Sequence, residues 1–353
     1  MNPDSYNLLS AFGLTREQLR ILFSVEYLMA NNDLENTRAG VSRLCKKDWL
    51  ANWKASVELL LNTEESGEGL SLLEQEELCN VIQAEIASSI NHTWYHLVLL
   101  EAVAFEAYTP LGASKEADKE YRSIKYAKQL NYLSQSIVDP VGVGSATMVD
   151  SYDKAYRKAL ATAAGKNQKI ITGALVVIAA SALIAATAGA LAAPIAVSIV
   201  GSQFATLYGA ALTSACLAAL GGGAVAAGGM GVAGGTMVLV GGGALLGAAG
   251  SGAAVIGASA LAKSSPDFAI SQGAKLTVVL REIILNGQND IMTAQAILEN
   301  FKMQIGEMHK ELAEIKLQRT DDKQTIQNLT NAIEALERLY SAVNIQPPEE
   351  GSQ

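Results

Sequence analysis

Residues 170–193 read IITGALVVIAASALIAATAGALAA, and after Pro194 residues 195–220 continue IAVSIVGSQFATLYGAALTSACLAAL. The run goes on through Gly221-Gly222-Gly223 and Gly241-Gly242-Gly243 to residue 262 without one Asp, Glu, Lys, Arg or His. A helix in a soluble core normally keeps one polar face. A charge-free run of this length is therefore read first as lipid-facing. A bilayer-spanning helix takes about 20 apolar residues. Pro194 and the two Gly triplets then serve as turns, and they divide the block into segments 170–193, 195–220, 223–240 and 243–262.

The flanks set the parity of the spans. Lys154, Arg157, Lys158, Lys166 and Lys169 precede the block, and Lys263 follows it, with Lys275 and Arg281 beyond. Positive residues stay on the cytoplasmic side of a membrane. Both ends of the block are thus expected on one side, with two or four spans rather than three. Gly and Ala are only weakly apolar, so such segments insert poorly one by one but pack closely together. Gly173, Gly189, Gly201, Gly209 and Gly221 would supply that packing. Gly231 with Gly235 and Gly243 with Gly247 are small-xxx-small pairs, which let helix backbones approach. Marginal insertion suits a protein with two states, sheltered and inserted. The competing readings are a buried helical hairpin in a soluble core and a β-type hairpin around GGTMVLVGGG, residues 234–243.

Outward from the block, the C-terminal tail is the most regular part of the chain. Apolar residues fall at Ile291, Ala294, Leu298, Phe301, Ile305, Met308, Leu312 and Ile315, and resume at Ile326, Leu329, Ile333, Leu336 and Tyr340. Spacings of three and four alternate, which is heptad periodicity. Arg319 and Asp322 occupy the seam positions between the runs, so the register survives the gap. That favours one straight helix over about 289–341, roughly 80 Å long at 1.5 Å per residue. The other reading makes QRTDDKQ a turn between antiparallel helices. Ile270, Leu280 and Ile284 weakly extend the pattern back towards the block.

Before the block the chain reads as a bundle of about five helices. TREQ, Thr15 to Gln18, is a capping box that opens a helix to about residue 30. A second helix spans about 37–62, and NTEESGEG is a loop. Ser71 with Glu74 forms another capping box, after which no Gly or Pro interrupts the chain to Tyr108. Leu78, Ile82, Ile86, Ile90 and Trp94 recur every four residues as one stripe. Ser114 caps a helix to about residue 138, Asp139-Pro140 breaks it, and a short basic helix follows over about 147–169. The expected fold is all-α: a helical bundle with a long coiled-coil helix and a Gly/Ala-rich membrane-inserting region. The expected divisions are an N-terminal helical domain at 1–112, a stalk and basic flank at 113–169 and the hydrophobic region at 170–262. The coiled-coil helix takes 263–345 and a disordered tail 346–353.

Composition narrows the function. The 353 residues are 50% hydrophobic and 17% charged, with 26 Lys and Arg against 35 Asp and Glu, a net charge of −9. Soluble chains average about 25% charged. An acidic chain without a basic stripe argues against nucleic acid. Cys45, Cys79 and Cys216 form neither a disulfide framework nor a zinc site, and they fit a reducing compartment. The N-terminal stretch lacks the features of a cleaved signal peptide. The expected location is membrane-associated, with a soluble cytoplasmic or released form before insertion.

No catalytic, cofactor-binding or metal site is expected. Gly229-Met230-Gly231-Val232-Ala233-Gly234 matches GxGxxG, but no acid follows until Asp267, whereas a dinucleotide site needs one about 20 residues on. P-loop and nucleophile-elbow motifs are missing. His92 and His96 are four apart on one expected helix face, without a third ligand nearby. His309 reads as solvent-facing, and Trp49, Trp53 and Trp94 as core or interfacial anchors.

This layout over 115–341 resembles the α-helical pore-forming toxins of the cytolysin A type, in which long helices flank a hydrophobic hairpin hidden until assembly. LAALGGGAVAAGGMGVAGG, Leu217 to Gly235, is similar to small interferon-induced Gly/Ala-rich membrane proteins. These resemblances imply a membrane-inserting effector of the pore-forming, toxin or cell-death and defence type. The implied partners are the lipid bilayer and a homo-oligomer or partner component held through the coiled coil. The alternative is a constitutive membrane-anchored coiled-coil scaffold without catalytic activity.

Overall fold

The computed structural model describes residues 12–62, 69–109, 119–165, 240–246, 266–317 and 323–343. Within them the protein is all-α. Helix α1 (Arg16–Glu35) opens on the expected capping box: Gln18 N donates to Thr15 Oγ1 at 3.2 Å and Thr15 N to Gln18 Oε1 at 3.1 Å. It packs on α2 (Val41–Leu61), α3 (Gln75–Ser88) and α4 (Thr93–Ala104). Trp49 and Trp53 stack at 5.9 Å and, with Trp94, lie in the core.

The sequence suggested one uninterrupted helix up to Tyr108, but the chain breaks between α3 and α4. Asn91 is the cause: its Oδ1 accepts from Thr93 N at 2.8 Å, a local bond that restarts the helix. Leu78 and Ile82 of the stripe are buried, whereas Ile90 falls in the break and is fully exposed. The Ser71–Glu74 box does not form either. Glu74 caps α3 without a side-chain bond, and Ser71 O accepts from Arg20 Nε at 2.7 Å.

Helix α5 (130–141) has a π-helical centre, Leu133–Val138. It runs through Asp139-Pro140 and stops at Gly142, whose φ is 77°. Pro140 stands in the first two positions of the α-helical turn Asp139–Val141 that follows the π-helical segment, where its missing N–H is tolerated. Helix α6 (Ala146–Ala164) starts on Ser145, whose Oγ accepts from Met148 N at 3.3 Å. Helix α7 is α-helical at Pro266–Val278 and π-helical at Val279–Gln288. It ends at Asn289, φ 53°, with a reversal in which Asp290 N reaches Ile284 O at 3.1 Å. Asn289 N also returns to Leu285 O at 3.1 Å, the bond of an αL-type stop. Asp290 then caps the next helix by accepting from Thr293 N at 3.0 Å.

The tail is two helices, α8 (Ile291–Leu317) and α9 (Lys323–Ala342), packed on each other. A straight helix would hold Phe301 and Tyr340 about 58 Å apart. Their ring centroids lie 6.2 Å apart, and His309 Nε2 meets Glu337 Oε1 at 2.8 Å. The hairpin reading is therefore the one the chain adopts, and the 80 Å helix is not formed. An unbroken register cannot distinguish the two, because folding a heptad seam on itself buries the same residues. Phe301, Ile305, Leu312, Leu329, Ile333 and Leu336 are buried, Leu298, Ile315 and Ile326 are partly buried against the core, and Ile291 is 36% exposed.

Candidate functional site

The feature that singles this chain out is its charge-free block, so the site is the place where that block joins the bundle. Helices α6 and α7, on its two sides, pack together. Tyr156 Oη and Ser271 Oγ are 2.8 Å apart, and Ser151 Oγ donates to Glu282 Oε2 at 3.4 Å. Rising numbers on one helix meet falling numbers on the other, so the pair is antiparallel. The C-terminal end of α6 and the N-terminal end of α7 therefore lie at the same end of the bundle. Arg338 of α9 closes the α6 side: its Nε donates to Ala163 O at 2.8 Å, a cation on the free carbonyls of a helix C-terminus.

Residues 240–246 of the block are folded into the protein core. Val240, Leu245 and Leu246 are each at most 1% exposed, a burial worth about 1.5–3 kcal/mol per side chain. Val240 N donates to Phe12 O at 3.0 Å. Gly241 and Gly242 have φ of 62° and 86°, and a short 3-10 turn follows at Gly243–Leu245. The expected turn at this triplet is present. Space requires glycine as well: a Cβ on Gly242 would lie 2.6 Å from Leu276 N, and one on Gly243 would lie 2.5 Å from Phe12 Cβ. Gly243 thus approaches Phe12, in a 3-10 turn. Gly247, its expected partner along a membrane helix, lies outside the described residues.

A buried ion pair holds the turn. Glu101 of α4 accepts from Gly241 N at 2.9 Å through Oε1 and from Lys275 Nζ at 2.5 Å through Oε2. The two side chains are 1% and 0% exposed. Lys275 was expected among the positive residues flanking a membrane; instead it points into the protein, because α7 is enclosed on all sides over 269–280. One turn before it, Gln272 is fully buried, and its Oε1 and Nε2 find no partner among the described residues. A buried amide without partners costs about 1–3 kcal/mol. Among the described residues, the helix that leads out of the block is thus held by one charged contact and strained by one unsatisfied group.

A second buried ion pair lies in the N-terminal half. Asp33 Oδ2 accepts from Lys46 Nζ at 2.5 Å and Tyr108 Oη at 2.7 Å, and Oδ1 accepts from Ala127 N at 3.2 Å. Lys46 also donates to Thr37 Oγ1 at 3.0 Å and sits 4.8 Å over the Tyr108 ring. Nearby, burial pushes the Glu106 carboxyl up to about 7, against the opposing pull of Lys128 and Arg157.

Of the predicted flanking residues, Lys154, Arg157 and Lys158 are exposed on α6, with Arg157 Nε 2.8 Å from Asp153 Oδ2. Lys166, Lys169 and Lys263 lie outside the described residues. So do Gly173, Gly189, Pro194, Gly201, Gly209, Gly221, Gly231, Gly235 and Gly247. Among the described residues no helix is long and apolar enough to cross a membrane. His92 and His96 do not share a helix face: His92 precedes α4, and His96 Nδ1 lies 2.9 Å from Tyr152 Oη. Burial, and then the charge of His92, lower the affinity of His96 for a proton. The described residues hold no cluster of His, Cys, Asp or Glu that could bind a metal.

Sequence reasoning missed Glu101, Gln272 and Arg338. The first had a signal: Glu101 is the lone charge in LVLLEAVAF, 97–105. Lys275 is likewise the lone charge in AISQGAKLTVVL, 269–280. A single charge within an apolar helix needs a buried partner, and these two supply each other's. No family model, curated protein or solved structure matches the chain.

Proposed function

We propose that this protein is a membrane-inserting α-helical effector that perturbs or permeabilises a bilayer once its sheltered hydrophobic region is released. The observation that carries this reading is the state of the charge-free block. Its flanking helices are antiparallel, and part of it, 240–246, is packed in the core of the bundle. A block rooted at one end of a bundle fits an even number of spans. A segment borrowed by the core fits conditional insertion better than permanent residence in lipid. The released form exposes a Gly/Ala-rich surface whose segments pack on each other in lipid.

The test is leakage of dye from anionic liposomes, with the intact chain against Ile178→Lys/Leu183→Arg. A charge at the centre of a membrane helix costs about 2.5–3.5 kcal/mol by insertion scales, so the variant should leak at a small fraction of the parent rate. Equal leakage from both proteins, or none from the parent at acidic and neutral pH, overturns the proposal. Recovery of the parent only in carbonate-resistant membranes would favour the permanently anchored scaffold.

A further inference from the structure

The seam of α8 is used up inside the protein, against α9. Its outer face carries a second stripe at the same spacing. Met292, Met303 and Leu317 are 78%, 53% and 82% exposed, and Ala296, Glu299, Lys310 and Ala313 are exposed on the same line. Gly306 completes it, with open space where a Cβ would stand. The steps alternate four and three residues, the periodicity of a helix that meets another helix. Scattered exposed apolar side chains are ordinary on a protein surface; three of them aligned on one heptad line of a polar helix are not.

We infer that this face is a docking surface for α8 of a second copy of the chain, with the two helices antiparallel about a two-fold axis between Gln304 and Ile305. A two-fold interface must be complementary to itself, and this stripe meets that condition position by position. In antiparallel register Met292 faces Leu317, and Ala296 faces Ala313. Met303 enters the space above Gly306. Glu299 faces Lys310, once on each side of the axis, so both charged positions find opposite charges. A parallel arrangement would oppose Glu299 to Glu299 and Lys310 to Lys310, which is unfavourable. Lys310 now holds Glu307 at 2.6 Å, a pair in which both side chains are more than 60% exposed. Such a surface pair contributes little and is readily exchanged. Glu307 then stays in solvent beside the new contact.

The interface leaves the α8–α9 seam untouched and does not depend on membrane insertion. It would join two molecules while their apolar blocks are still sheltered.

The experiment is sedimentation equilibrium of the full chain over a wide concentration range, with helicity checked by circular dichroism. The parent should show a monomer–dimer equilibrium. Glu299→Lys and Lys310→Glu alone should each raise the dissociation constant about tenfold or more, because each puts like charges opposite one another twice. The double variant Glu299→Lys/Lys310→Glu should return to within about threefold of the parent, since exchanging the charges restores the antiparallel pairing. An equimolar mixture of the two single variants should also dimerise. A parent that stays monomeric overturns the inference, including the case where the apolar block itself covers this face. Association that ignores both single reversals overturns it too, and would assign self-assembly to the apolar block. Leakage by a strictly monomeric protein would remove this surface while leaving the proposed function in place.

Discussion

Two buried ion pairs, one within the N-terminal half and one that joins the two halves of the chain, are built differently. Asp33 and Lys46 are closed on themselves: a tyrosine hydroxyl, a backbone amide and a threonine hydroxyl share the charges, and an aromatic ring covers the ammonium. All of these groups come from the first 127 residues. Glu101 and Lys275 rely on fewer groups. Among the described residues, Glu101 has Lys275 and the Gly241 amide, and that amide belongs to the apolar block. A buried pair is neutral at best when all its bonds are made and costly when one is lost. The first pair is therefore part of the fixed frame. The second is satisfied only while residues 240–246 stay docked, so it ties the stability of the core to the position of the block.

The largest expected effect comes from breaking the fixed pair. Asp33→Ala leaves Lys46 charged and buried, and it should lower global stability by about 3–5 kcal/mol. Urea unfolding followed by tryptophan fluorescence measures this, since Trp49 stacks beside the network. A loss under 1 kcal/mol would show that the network is open to water.

Glu101→Gln attacks the other pair. It keeps an acceptor for the Gly241 amide and strands the Lys275 ammonium, with an expected loss of about 3 kcal/mol. Adding Lys275→Met should recover most of it, because a flexible apolar side chain replaces the unpaired charge. If the two changes simply add, the ion pair is not what the first one broke. The companion test is Gly242→Ala. Its left-handed backbone and the contact with Leu276 N should cost about 2–3 kcal/mol. The cost should appear mainly as faster proteolysis within 240–246, and cleavage at the parent rate would mean that the turn is already undocked.

A smaller effect depends on pH. The Glu106 carboxyl titrates near 7 in the folded chain, above its ordinary value of 4.5. The folded state then binds more protons than the unfolded one between these values, so the contribution is full below about pH 4.5 and is lost as pH rises through 7. Glu106→Gln should stabilise the protein by roughly 1–3 kcal/mol at pH 8 and change it little at pH 4. A variant with the parent's pH profile of melting temperature would assign the dependence to other groups.

Much of the fold was legible because it follows from local rules. The Thr15–Gln18 capping box, the helix over Ala146–Ala164 and the heptad spacing within α8 and α9 each depend on neighbours within one or two turns. The errors came where local rules gave no sign or two equal answers. An unbroken heptad register fits a long helix and a hairpin equally. The four-residue stripe from Leu78 to Trp94 gave no sign that Asn91 would restart the helix. At the block's root, Gly241-Gly242-Gly243 read as a turn, but not as a turn inside the core.

What the sequence determined by itself is the all-α class and a long charge-free block, because helix periodicity and the absence of charge are properties of the chain alone. Only the tertiary structure decided that Lys275 faces Glu101 and not a membrane surface, 174 residues apart along the chain. A lone charge states that a partner must exist; which group supplies it depends on how α4, α7 and the glycine turn pack together, and that is settled by long-range fit in a crowded core.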